Sequence, residues 1–161
     1  MTLRSDAKEL ADILRKKGLR MSAAESCTGG LIGYSMTEEP GSSDVFLGSA
    51  VTYSNDSKER VLGVKHQTLL DHGAVSEETA REMAIGSIEA YGGDLSVAVT
   101  GIAGPGGATD QKPVGLVYIA VADGPRVIVT KNIFKGDRQS VREQTASEAM
   151  RLLKELAEGR L

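Results

Sequence analysis

Leu3, Ala7, Leu10, Ile13 and Leu14 recur at helical spacing, and Gly18 stands where that helix ends. Arg20–Ala24 reads as a short strand. Gly30 to Met36 reads as a helix stopped by Pro40-Gly41. Val51 and Tyr53 alternate within a strand spanning Val45–Tyr53, and a short helix follows over Asp56–Leu62 with Asn55 as its cap. His72-Gly73 reads as part of a turn. Ser76 then caps a clearer helix whose inner stripe is Ala80, Met83, Ala84, Ser87, Ile88 and Tyr91, with Glu77 and Glu78 at its positive end. Gly92-Gly93 ends it.

Leu95–Thr100 is short, apolar and β-rich, the pattern of a buried strand. Val114–Ala122 and Arg126–Phe134 flank Asp123-Gly124-Pro125, a hairpin signal. A last helix starts at the cap Asp137, with Val141, Thr145, Ala149, Leu152, Leu153 and Leu156 on one face. About five strands thus interleave with about four or five helices, and a hairpin inside an alternating pattern implies a mixed sheet covered by helices. With no internal repeat, linker or low-complexity stretch, residues 1–161 read as one domain.

Composition narrows the function. Hydrophobic residues make 40% and charged residues 25% of the 161, the balance of a globular chain with a real core. Aromatics make only 4%, with no Trp, and the net charge is −3, which argues against base stacking and direct nucleic-acid binding. The single cysteine, Cys27, excludes an internal disulfide framework and a cysteine-rich zinc site. No apolar run is long enough to span a membrane, and the start of the chain lacks a signal-peptide core, so a cytoplasmic enzyme or binding protein is expected.

Four stretches carry candidate chemistry. Ala24-Glu25-Ser26-Cys27-Thr28-Gly29-Gly30 puts hydroxyls and a thiol on a turn between a strand and a helix. A plain N-cap, an acyl-transfer nucleophile and a bound phosphate all suit that place. Cys27 reads either as a reactive thiolate or as a small buried filler. Val99-Thr100-Gly101-Ile102-Ala103-Gly104-Pro105-Gly106-Gly107 follows a buried strand and reads as a tight loop or as a cradle of N–H groups for phosphate or oxyanion. It is neither a Walker A loop nor a dinucleotide fingerprint. In Tyr53-Ser54-Asn55-Asp56-Ser57-Lys58, the lysine is a solvated surface group unless folding brings it beside Ser26, where a desolvated amine would act as a base. In Gly136-Asp137-Arg138-Gln139-Ser140-Val141-Arg142, the two arginines share one side of a helix start that disfavours cations, so they are surface groups or are drawn in by an anion. His66 and His72 form no triad or metal-ligand pattern.

Taken in order with His72-Gly73-Ala74-Val75-Ser76 and Lys112-Pro113-Val114-Gly115, these stretches resemble the C-terminal domain of the competence/damage-inducible protein CinA, from about Ala7 to Leu156. The larger N-terminal domain of many family members has no counterpart in these residues. The resemblance implies a three-layer α/β/α domain and a homo-oligomer needing no metal or organic cofactor. It also implies nicotinamide-nucleotide amidase activity, converting nicotinamide mononucleotide to nicotinic acid mononucleotide and ammonia in pyridine-nucleotide salvage.

The residues agree with that chemistry. Without a visible Ser-His-Asp set, a Ser–Lys arrangement is the economical alternative. Ser26 would attack the carboxamide, and Lys58 would take its proton and pass one to the departing ammonia. N–H groups near Cys27, Thr28, Gly29 and Gly30 would stabilise the oxyanion. Thr100 and the loop glycines Gly101, Gly104, Gly106 and Gly107 would complete the site or bind the ribose phosphate, and Tyr53 would hold substrate or lysine. Arg142, supported by Arg138, would pair with phosphate or keep Lys58 neutral. The competing reading is a non-catalytic nucleotide-binding or competence- and damage-associated regulatory module, which would bind nucleotide without releasing ammonia.

Overall fold

A computed structural model of the chain describes residues 2–161. The elements run α1 (Leu3–Lys17), β1 (Met21–Glu25), α2 (Leu31–Thr37), β2 (Phe46–Val51), α3 (Asn55–Leu62), α4 (His66–His72), α5 (Glu77–Tyr91), β3 (Leu95–Gly101), β4 (Leu116–Ala122), β5 (Val127–Ile133) and α6 (Arg138–Ala157). A single 3-10 turn, Ser42–Asp44, leads into β2. The five strands form one mixed sheet in the order β2-β1-β3-β4-β5. β1 pairs in parallel with β2 and β3, whereas β4 is antiparallel to both β3 and β5.

Alternation along the strands divides two cores. Met21, Ala23, Val97, Val99, Val117, Ile119 and Val121 face α1, α2 and α6. Ala24, Ala98, Ala120 and Ala122 face α5 and its neighbours. The second face is alanine-rich because α5 lies close to the sheet: the Ser22 and Ser87 hydroxyls meet at 2.7 Å, and Ser96 Oγ donates to Ala84 O at 2.7 Å. Two covered faces explain why β3 and β4 read as continuous apolar runs.

The expected three-layer α/β/α domain with five strands is observed, and most boundaries agree within two residues. Two local readings are corrected. Ser54, not Asn55, caps α3, its hydroxyl accepting from Ser57 N at 3.0 Å. His72 closes a helix, α4, where a turn was expected.

Topology fixes where a site forms. The chain leaves β1 through α2 to β2 on one side, then returns across β1 to β3 on the other. The connections after β1 and β3 therefore diverge onto opposite faces and leave a crevice beyond their carboxyl ends. Ser26 and the Gly101–Gly107 loop both stand there.

Candidate active site

The crevice is a cavity of about 330 Å³ whose wall includes Ser26, Cys27, Tyr53, Lys58, Thr100 and Arg138. Its size is at the lower end of small-molecule pockets. Ser26 sits immediately past β1, and its N–H extends the β1–β3 ladder by donating to Val99 O at 3.1 Å. The Ser26 turn is thus an extension of the central sheet.

Lys58 comes from α3, one turn inside the Ser54 cap, and is 1% exposed. Its Nζ lies 3.0 Å from Ser26 Oγ, 2.7 Å from Thr52 O and 3.4 Å from Tyr53 O. No carboxylate lines this cavity. Burial pushes the Lys58 ammonium down from its ordinary 10.5 to about 8, although the neighbouring Cys27 opposes the shift. A neutral amine has two N–H groups and one lone pair. The two carbonyls take the N–H groups, so the lone pair is left for the Ser26 hydroxyl proton. That is the arrangement that activation of a hydroxyl by a neighbouring base requires.

Cys27 also lines the cavity, but it is 5% exposed and burial pushes its thiol up to about 11. The thiolate is disfavoured there, so Cys27 packs as a small apolar group.

Glu25 organises the turn, a role the sequence reading did not give it. Fully buried, it accepts from Thr28 Oγ1 at 2.7 Å, Ile32 N at 2.8 Å, Gly33 N at 3.0 Å and Ser49 Oγ at 2.6 Å. Its carboxylate therefore occupies the amino end of α2 and takes the N–H groups of Ile32 and Gly33. The clue was a glutamate closing an apolar strand. Glu25→Gln leaves a buried amide NH2 facing donors and should destabilise the fold by about 2–4 kcal/mol. Urea unfolding of the variant measures this directly.

Other N–H groups of the turn fall into two sets. Those of Gly29 and Leu31 donate to Ser26 O and Thr28 O. Those of Cys27 and Thr28 carry no hydrogen bond to another residue among the described residues.

Arg142 bears on this set from α6. Its Nε donates to Cys27 O at 3.3 Å and its Nη2 to Thr28 O at 3.0 Å. In a trans peptide the N–H points opposite to the C=O. Holding the Cys27 carbonyl outward thus turns the Thr28 N–H the other way.

The sequence-nominated residues separate into two groups. Ser26, Lys58, Tyr53, Thr100, Gly101, Gly104, Gly106, Gly107 and Arg138 meet around the cavity. Thr28, Gly29, Gly30 and Arg142 are not among the residues that line it. Thr28 gives its hydroxyl to Glu25, while Gly29 and Gly30 take the positive φ of 61° and 105° that the turn requires.

Thr100 Oγ1 donates to Ala74 O at 2.8 Å, which holds the α4–α5 loop as a side of the cavity. Gly101 is a packing glycine, since a Cβ there would stand 2.5 Å from Val117 Cγ2. Arg138 Nη1 donates to Gly104 O at 2.8 Å and Nη2 to Tyr53 Oη at 3.0 Å, bridging the mouth. Among the described residues no group of three His, Cys, Asp or Glu side chains is arranged to hold a metal ion, and no helix is long and apolar enough to cross a membrane.

Comparison with known proteins places this geometry in context. A family model described as the CinA C-terminal domain matches residues 3–157. A putative competence-damage inducible protein of Clostridioides difficile is 48% identical over 145 residues, covering 90% of this chain and 35% of that protein. A CinA-like protein of Chloroherpeton thalassium is 48% identical over 151 residues, covering 91% and 36%. The chain therefore spans about a third of the length of these curated relatives. Among solved structures, a CinA superfamily protein from Klebsiella pneumoniae superposes with a TM-score of 0.96 at 31% identity, covering 99% of each chain. A competence/damage inducible protein from Agrobacterium tumefaciens gives 0.91 at 42% identity, covering 94% of this chain and 93% of that one.

Proposed function

The chain belongs to the CinA C-terminal domain family, and from that premise we propose that it hydrolyses the carboxamide of nicotinamide mononucleotide to nicotinic acid mononucleotide and ammonia. The observation that carries the reading is the buried Lys58 amine 3.0 Å from Ser26 Oγ at the floor of the cavity.

Each step has a group to perform it. Neutral Lys58 accepts the Ser26 proton as Oγ bonds to the carboxamide carbon. The carbonyl π electrons move to oxygen, where the Cys27 and Thr28 N–H groups stabilise the charge. Collapse of the tetrahedral intermediate breaks the C–N bond, and Lys58 returns its proton to the leaving nitrogen, which departs as ammonia. Water then attacks the Ser26 ester. Lys58 takes the water proton and gives it back to Ser26 Oγ, which releases the acid. Thr52 O and Tyr53 O hold the amine through both half-reactions and accept from the ammonium while it is charged.

This reading makes Arg142 a positioning residue. Arg142→Met frees the Cys27 and Thr28 carbonyls, and kcat should fall about 10–100-fold with KM nearly constant, the pattern of a lost transition-state interaction. A rise confined to KM would instead assign Arg142 to substrate phosphate. The lost charge-assisted hydrogen bonds should also cost about 2 kcal/mol, lowering Tm by about 4–8 °C.

Homo-oligomeric assembly, a cytoplasmic location and a place in pyridine-nucleotide salvage belong to the same proposal. The test is ammonia release from nicotinamide mononucleotide by the purified chain, with and without EDTA, with the acid product identified by chromatography. Stoichiometric ammonia and nicotinic acid mononucleotide support the reading. Saturable nucleotide binding without ammonia would replace the enzyme with a binding module.

A further inference from the structure

Residues 72–76 and 112–115 stand out in the sequence but take no step at the cavity floor, and the fold ties them to each other. Lys112 Nζ donates to His72 O at 2.8 Å. That carbonyl is the last of α4, the end of a helix where a cation is favoured. The next two carbonyls are held from other elements. Gly73 O accepts from Ser76 Oγ at 2.9 Å and from Thr79 Oγ1 at 2.7 Å, and Ala74 O accepts from Thr100 Oγ1 at 2.8 Å. Three successive carbonyls thus fix the wall that presents Ala74 and Val75 to the cavity. Gly73 suits this place, since its φ is 80° and a Cβ there would stand 3.1 Å from Lys112 Nζ.

Lys112 itself stands on a loosely attached segment. Residues 102–115 form an Ω-loop, with Gly115 N donating to Ile102 O at 2.8 Å and Ile102 N to Leu116 O at 2.9 Å across its neck. Near the neck the two limbs pack so closely that a Gly104 Cβ would stand 2.5 Å from Val114 Cγ1. Farther out, residues 105–111 are exposed. Among the described residues their one backbone hydrogen bond, Thr109 N to Lys112 O at 2.8 Å, stays within the loop. Beyond the neck, two side-chain hydrogen bonds join the loop to the body among the described residues: Arg138 to Gly104 O and Lys112 to His72 O. The inner side of the loop lines the cavity through Ile102, Ala103, Gly104, Gly106 and Gly107, opposite Ala74 and Val75. A segment with exposed backbone and so few anchors opens at low cost.

We infer that Lys112 is a positioning residue, the latch of a lid: its bond to His72 O holds the Ω-loop against the α4–α5 loop, so that the two walls stand closed around bound substrate and part for entry and release. This rests on the amidase reading and adds a closing step to it. The Ser26–Lys58 pair, built on the end of β1 and on α3, lies outside the moving part. The latch therefore acts on how well substrate is held, and the chemistry at the floor is left as it is.

The experiment uses an endoprotease that cuts before aspartate, so that cleavage between Thr109 and Asp110 reads opening of the loop. It is paired with kcat and KM for nicotinamide mononucleotide in wild type, Lys112→Met and Lys112→Arg. Lys112→Met should speed that cleavage about 5–15-fold. It should raise KM about 3–10-fold while kcat stays within about threefold. Lys112→Arg keeps a cationic donor and should return both readings to within about twofold of wild type. Saturating nicotinamide mononucleotide on Ser26→Ala, which does not consume it, should slow the cleavage about tenfold or more. If Lys112→Met does not fold, Lys112→Gln is read in the same two assays. Cleavage unchanged by loss of the lysine, or unaffected by a nucleotide that wild type turns over, overturns the inference. Faster cleavage with an unchanged KM also overturns it, because Lys112 would then tie the loop without shaping the site. The amidase reading fails separately: if wild type releases no ammonia while Lys112→Met still opens the loop, the latch stands over a site of other chemistry.

Discussion

Ser26→Ala should abolish ammonia release, lowering kcat by about 10³–10⁶ while the fold and substrate binding persist. The size follows from the architecture. Among the described residues Ser26 carries the only hydroxyl hydrogen-bonded to the buried amine, 3.0 Å away, while the neighbouring thiol is held protonated by burial. Removing one oxygen from a residue that is 8% exposed leaves the turn intact, because Ser26 contributes its N–H to Val99 O and its carbonyl to Gly29 N through the backbone. Circular dichroism should match wild type, and Tm should move by about 2 °C or less. Cys27→Ala should leave kcat within about threefold of wild type, since the thiol only packs. Activity surviving in Ser26→Ala but lost in Cys27→Ala would transfer the nucleophile to the thiol.

Lys58→Met has the second-largest effect. It keeps the stem and removes the base, and kcat should fall about 10²–10⁴-fold. Wild-type kcat/KM should climb about tenfold per pH unit below pH 8 and level off above it, because only neutral Lys58 accepts the Ser26 proton. At pH 7 roughly a tenth of the molecules carry the neutral amine.

Stability moves in the same direction. The folded-state value near 8 lies below the ordinary 10.5, so between these limits the unfolded chain binds more protons than the folded one. Stability of wild type relative to Lys58→Met should therefore rise as pH goes from 8 to 10.5 and be flat below 8. Paired urea titrations across that window check the sign. A relative stability that falls with rising pH would mean that the amine is held charged in the folded state.

How much of this was legible in the sequence differs by element. The strands were readable because two covered faces make apolar runs, and α1, α5 and α6 because their caps and inner stripes are complete. α4 escaped notice for a physical reason. It has seven residues, its amino end has no side-chain cap, and only Thr68 and Leu69 are buried, so it carries no periodic stripe. Ser54 and Asn55 are adjacent residues that both suit a cap, and only the observed bond to Ser57 N decides between them.

The site shows the same division. Its hydroxyl turn and glycine loop stood out because they break the apolar pattern at strand ends. Lys58 did not, since 32 residues separate it from Ser26 and nothing local distinguishes it from a solvated surface lysine. It was readable as a base only on the condition that folding brings it beside Ser26. The Thr52 and Tyr53 carbonyls that hold it are backbone groups with no signature of their own. Arg138 and Arg142 were visible as a pair on one side of the helix start. Their separate tasks follow only from what each reaches: the mouth of the cavity in one case, the nucleophile turn in the other.

The most direct test of the central claim is to trap the covalent intermediate. Wild type would be mixed with nicotinamide mononucleotide, quenched in acid within milliseconds and examined by intact and peptide mass spectrometry. A nicotinic acid mononucleotide acyl group esterified to Ser26, absent in Ser26→Ala, is the predicted result. An acyl group on Cys27 in its place, or ammonia released by wild type with no acyl-enzyme at any quench time, would contradict the Ser26–Lys58 account.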